Sequence, residues 1–161
     1  MGYTHFYQFK VEKINKSKFA LGVALFKLCV NKLPSDLLFN GIGEGKAVIN
    51  NSQIVFNGNA ELDLDGESFG IDNKDTTWNF CKTFRQPYGV AVCLCLLCMK
   101  KVFGEEFWYD SDGITRENIA NPSQYMIDYA KKNNYVYEVD KDWAQAYEIF
   151  DKVVAESPIK I

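Results

Sequence analysis

The sequence predicts an α+β fold, a largely antiparallel sheet with helices packed mainly on one face, in a single domain over residues 1–161. Three observations predict it. Strand-like segments succeed one another without a helix between residues 47 and 71. Turn signals at Asn50-Asn51 and Asn57-Gly58 separate them. Apolar residues at helical spacing bracket that stretch, over 19–33 before it and from Gly89 after it.

Each element has its own signal. Phe9, Val11 and Ile14 suit an opening strand. Asn15 or Ser17 can cap the next element, whose Phe19, Val23, Phe26, Leu28, Val30 and Leu33 recur with helical spacing until Pro34 closes it. Residues 37–46 read as a glycine-bearing loop. Residues 47–49 and 53–56 flank Asn50-Asn51 as a hairpin. Leu62 and Leu64 alternate with Glu61, Asp63 and Asp65, which suggests a third strand with one wet face, and Phe69 and Ile71 a fourth. Pro87 suits the first position of an apolar helix that runs through Met99. A short strand over 106–109 and a turn over 110–113 follow. Asn121-Pro122 or Ser123 can start a helix through Met126, Ile127 and Ala130, and residues 135–139 read as another strand. Asp140 or Asp142 begins a last helix with Trp143, Ala146, Tyr147, Phe150, Val153 and Val154 on its apolar side.

Composition narrows the function classes. An apolar fraction of 47% makes a folded globular chain, not a disordered one. A net charge of −3 argues against broad binding to duplex nucleic acid but leaves a local basic site open. The longest apolar run falls well short of the roughly 20 residues a membrane helix needs. The opening residues lack a signal-peptide pattern, and Phe6 stands where myristoylation needs Ser or Thr, so a cytoplasmic protein is expected. Five cysteines occur, Cys29, Cys81, Cys93, Cys95 and Cys98, an odd number that fits reduced thiols; Cys93, Cys95 and Cys98 lie among Val, Leu and Met with no nearby histidine and read as buried thiols on an apolar helix. No cofactor is expected.

The motifs thin out on inspection. The run Gly41-Ile42-Gly43-Glu44-Gly45-Lys46 is glycine-rich, but Ala47 follows the lysine and a strand, not a helix, comes next, so it is read as a loop and not a phosphate cradle. Glu61, Asp63, Asp65 and Asp72 have partial calcium-loop spacing on strand-like flanks and read as a solvated acidic hairpin. His5 is the only histidine, so Ser–His or Cys–His catalysis would have to use it. On a strand, Tyr3, His5 and Tyr7 share one face and could wall a planar ligand. The strongest segment is Phe80 to Tyr88. Lys82, Thr83 and Arg85 stand before a helix start, where free N–H groups and a planar guanidinium suit phosphate oxygens. Tyr88 either stacks on a base or packs into the core.

Several of these residues also carry a resemblance. Gly2-Tyr3-Thr4-His5-Phe6-Tyr7, Phe56-Asn57-Gly58 with Glu67-Ser68-Phe69, Phe80-Cys81-Lys82-Thr83 with Arg85, Pro87-Tyr88 and Val90, and Ser111-Asp112-Gly113 resemble an uncharacterised family of small phage and bacterial proteins. Those proteins open Gly-Tyr-Thr-His-Tyr and carry a Cys-Lys-Thr-x-Arg-x-Pro-Tyr-Asp segment. The likeness spans about residues 2–113 and the last helix. Gly89 departs from the usual Asp, and residues 114–139 look like an insertion. The resemblance implies a mobile-element setting and no particular activity. By analogy, it suggests a phage protein that withholds a nucleotide signal of host defence.

The leading expectation is a non-catalytic protein that binds a phosphate-bearing nucleotide, such as a cyclic immune signal. Lys82, Thr83 and Arg85 would hold phosphate, Tyr3, His5 and Tyr88 would meet base or ribose, and Asn57 and Asp112 would supply rim contacts. Two alternatives stay open. One is a nucleotide- or nucleic-acid-processing enzyme using carboxylates such as Glu67 or Asp112. The other is a host-protein inhibitor acting through Phe107, Trp108 and Tyr109. A homo-oligomer with a shared site also stays open.

Overall fold

A computed structural model describes residues 2–160. Its strands form two antiparallel sheets of three strands each. In the first, β1 (Thr4–Phe9) is central, between β5 (Asn79–Lys82) and β6 (Phe107–Ser111). The register pairs His5 with Cys81 on one side and with Ser111 on the other. The second sheet joins β2 (Val48–Ile49), β3 (Gln53–Phe56) and β4 (Phe69–Asp72) in that order. The helices are α1 (Lys16–Val30), α2 (Gly89–Phe103), α3 (Arg116–Ala120), α4 (Gln124–Asn133) and α5 (Lys141–Glu156). The α+β expectation is therefore met.

The period of two on β1 sorts its side chains. Phe9 packs on Phe19 of α1 and Phe103 of α2, and Tyr7 on Phe69 of β4. His5 lies between Trp143 of α5 and Cys93 of α2. Phe6, on the other face, meets Trp78 from the loop before β5. Helix α2 is the hub: every residue from Gly89 to Met99 is buried, and α1 and α5 pack against it. An apolar helix without a polar stripe is stable only in such a position. Its cysteines, with Cys29 and Cys81, are all buried and unpaired, as expected.

Local chemistry sets the boundaries. Asn15, one of two expected caps, accepts from the Lys18 N–H at 2.9 Å. Ser123 does the same for α4. Thr115 and Asn118 form a reciprocal capping box on α3, a helix the sequence reading missed.

Five expectations need correction. Helix α1 ends at Val30 and not at Pro34; the Lys32 and Leu33 N–H groups bond to Cys29 and Val30 carbonyls in a closing turn. The expected third strand at Leu62 and Leu64 is a 3-10 turn over Ala60–Leu62, because Asn59 takes the Glu61 N–H and Asp63 turns left-handed. Lys82, expected beside the start of α2 with Thr83 and Arg85, is the last residue of strand β5. Pro87 precedes α2 by two residues, since the Gly89 N–H is already bonded to the Gln86 carbonyl. Residues 135–139 form no strand: β-branched and aromatic residues there have no sheet edge to pair with, and Tyr135 and Val136 stay exposed.

Candidate functional site

The site is built where β5 ends. The Thr83 N–H donates to the Tyr3 carbonyl at 2.9 Å and extends the β1–β5 pairing by one residue. Phe84 and Arg85 then both enter the left-handed region, at φ 54° and 58°, and the Gln86 N–H closes the turn on the Thr83 carbonyl at 3.0 Å. Side chains pay roughly 1–2 kcal/mol each for that conformation. Two in succession without glycine or asparagine mark a turn held by its surroundings.

Arg85 supplies that hold. Its guanidinium lies 4.1 Å from the centre of the Tyr3 ring, and Nη1 donates to Asp140 Oδ1 and Oδ2 at 3.1 and 3.0 Å. The Tyr3 hydroxyl donates to Asp140 Oδ2 at 2.5 Å. Burial and the Asp140 partner both hold the Tyr3 phenol well above its ordinary range, so it stays a donor. Burial pulls the guanidinium pKa down, yet Asp140 more than offsets this and Arg85 stays charged. Asp140 precedes α5 but leaves the helix N–H groups alone, because its carboxylate is committed to Arg85 and Tyr3.

Beyond this trio lies a cleft of about 490 Å³ between the β5–α2 turn, the chain after α1 and the first turn of α5. Pro34, Leu37, Pro87 and Val90 give it apolar walls; Arg85, Lys141, Asp142 and Gln145 give it polar groups. Its volume falls within the roughly 300–1,000 Å³ typical of small-molecule sites. A cavity of equal volume sits over residues 13–17, but it is lined by one continuous stretch of chain at the start of α1 and gathers no groups from distant parts of the sequence.

Asp142 is the most unusual cleft residue. Its Oδ2 is buried without a hydrogen-bond partner among the described residues, as is Thr83 Oγ1. Burial first, and the neighbouring Asp140 second, raise its pKa, against the pull of Arg85 and Lys141. Both orphaned oxygens flank Gly89: a Cβ there would come within 2.9 Å of Asp142 Oδ2 and 3.3 Å of Thr83 Oγ1. A glycine at the head of α2 is therefore what lets α5 approach.

Behind the trio, His5 is wholly buried and belongs to a closed relay. Ser111 Oγ accepts from the Trp143 Nε1–H at 3.0 Å and from the Gly113 N–H at 3.0 Å. With both acceptor positions used, its proton points to His5 Nδ1 at 3.0 Å. His5 is therefore neutral and carries its proton on Nε2, toward Cys93 Sγ at 3.9 Å. Burial pulls the His5 pKa down to about 4, which agrees. Ser111 has no lone pair left for attack, and burial holds the Cys93 thiol well above its ordinary range, so neither neighbour of the imidazole is set up as a nucleophile.

The expected site residues thus divide. Tyr3, Thr83 and Arg85 come together beside the cleft, with His5 behind them. Asp112 lies nearby, its carboxylate accepting the Thr4 N–H at 2.9 Å. Lys82 projects from the opposite face of β5 to Thr83. Asn57 is buried and spends its side chain on Gly41, Gly58 and Gly66 as a loop clasp. Tyr88 is fully buried, and its hydroxyl donates to the Glu67 carbonyl at 2.6 Å. Of the two roles open to Tyr88, the core role is realised. Asp140, Lys141, Asp142 and Gln145 were missed as site residues; an acidic pair before a helix reads as capping, and nothing local says that it faces Arg85.

Comparison with protein-family models, curated proteins and solved structures gives no match for this chain.

Proposed function

We propose that the cleft beside Arg85 binds a phosphate-bearing nucleotide and that the protein holds this ligand without turning it over. One observation carries the reading: two cations, Arg85 and Lys141, and a part-buried carboxylate, Asp142, share a cleft with apolar walls. A nucleotide divides its chemistry in the same way. Phosphate oxygens suit the guanidinium and the ammonium. The flat base suits Pro34, Leu37 and Pro87, and a base N–H or ribose hydroxyl suits Asp142.

Asp140 already neutralises part of the Arg85 charge, so Lys141 and the unused guanidinium N–H groups would carry the phosphate contact. The closed Ser111–His5 relay favours binding over catalysis, because the only imidazole is committed. In the resembling sequences an aspartate stands at position 89; here Asp142 brings a carboxylate to that place from α5. A cyclic signal nucleotide withheld from host defence is the finer form of this reading, and it rests on the resemblance alone.

Calorimetric titration with linear and cyclic nucleotides tests it. The expected result is binding at about ten micromolar or tighter, with the nucleotide recovered unchanged and affinity lost about tenfold in Lys141→Ala. No heat at that concentration across the set, or recovery of a converted nucleotide, would overturn it.

A further inference from the structure

The face of the first sheet turned away from Tyr7, His5 and Phe9 carries an aromatic row. Trp78 stacks on Phe6 with ring centres 5.6 Å apart and an interplanar angle of 28°, and Phe80 lies 5.5 Å from Trp78. The β1–β5 register sets Phe6 opposite Phe80, and the β1–β6 register sets Gln8 opposite Trp108. Trp78, Phe80 and Trp108 are 52%, 46% and 36% exposed. A solvated sheet face is ordinarily polar, so large rings placed there call for an occupant.

The row is fixed in place. The Gln8 amide donates to the Thr76 carbonyl at 3.0 Å, and Asp75 Oδ1 accepts from both the N–H and the hydroxyl of Thr77. These bonds pin the loop that presents Trp78. Lys82, two residues after Phe80, is on the same face at one end, and Lys10 places its Nζ 5.7 Å over the Trp108 ring toward the other. Neither lysine belongs to an ion pair among the described residues. The neighbouring carboxylates are turned to backbone: Asp110 accepts from the Ser111 N–H, Asp112 from the Thr4 N–H and Glu67 from the Lys82 N–H.

We infer that this face binds a single strand of nucleic acid, whose bases stack on Trp78, Phe80 and Trp108 while Lys10 and Lys82 meet its phosphates. Base–aromatic stacking tolerates any sequence, since every base offers a π-face. Two free lysines are too few to hold a duplex by charge alone, which fits the net charge of −3. A protein partner is the less favoured occupant, because the free charges at the two ends of the row, Lys10 and Lys82, are both positive, as a chain of phosphates requires. The cleft beside Arg85 plays no part in this inference.

The test is fluorescence titration of the whole protein with oligothymidylate and oligouridylate of about twelve nucleotides at several salt concentrations. The expected result is quenching of tryptophan emission and a log–log salt slope no steeper than about −1.4, the value for two phosphate contacts on a single strand. Trp78→Ala and Phe80→Ala should each weaken binding about tenfold, with circular dichroism unchanged because both rings are surface groups. Four results would overturn it: no quenching, unchanged affinity in both variants, a duplex that competes equally, or a dimer in sedimentation that Trp78→Ala dissolves. Mononucleotide binding is read through Lys141 and strand binding through Trp78, so either reading can fail alone.

Discussion

Ser111 Oγ and His5 Nδ1 stand 3.0 Å apart, and the serine hydroxyl is the donor, because two N–H groups already occupy its acceptor positions. Two consequences are measurable. Nitrogen NMR should show Nδ1 unprotonated and Nε2 protonated at neutral pH. Ser111→Ala should cost about 3 kcal/mol in a denaturant titration, since it orphans Trp143 Nε1, the Gly113 N–H and His5 Nδ1 together. A loss below about 0.5 kcal/mol would show that water replaces the hydroxyl.

The same burial gives a pH dependence. Burial lowers the His5 pKa from 6.5 to about 4, outweighing the opposite pull of Asp112 and Asp140. As pH falls below 6.5, the unfolded chain takes up a proton that the folded chain refuses, so stability falls until pH reaches about 4. The drop attributable to His5 is about 3 kcal/mol. Asp142 acts in the opposite sense: its raised pKa lets the folded state gain a proton first as pH falls, which adds stability. Chemical denaturation of wild type and His5→Gln across this window separates the two. The wild type should lose stability more steeply; parallel curves would contradict the assignment.

The strained turn makes a third prediction. Phe84 sits at φ 54° with its ring 48% exposed, so it pays for a left-handed backbone and gains little from packing. Phe84→Gly should stabilise the protein by about 1 kcal/mol, observed as a raised melting temperature. Lower stability would mean that the ring packs to more effect than its exposure suggests.

Much of the fold is legible in local sequence. The apolar spacing of α1 and α5, the Asn15 cap and the β2–β3 hairpin each rest on residues a few positions apart. The errors share a cause. Leu62, Leu64 and residues 135–139 have strand-like composition, but a strand exists only where an edge pairs with it, and pairing is not local. Phe80 to Lys82 was missed for the converse reason: its partner is β1, far away in sequence. The site shows the same divide. Arg85 was legible as a cation at a turn, whereas its partner Asp140 is 55 residues away. Tyr88 and Asn57 have the composition of ligand contacts, and only the packing reveals that their polar atoms are spent on backbone.

The most direct test of the central claim is a crystal structure of the protein grown with the tightest-binding nucleotide. The expected result is phosphate oxygens about 3 Å from Lys141 Nζ and the Arg85 guanidinium, the base against Pro34, Leu37 and Pro87, and a ligand N–H or O–H on Asp142. A nucleotide bound elsewhere, with the cleft holding only water, would contradict the claim.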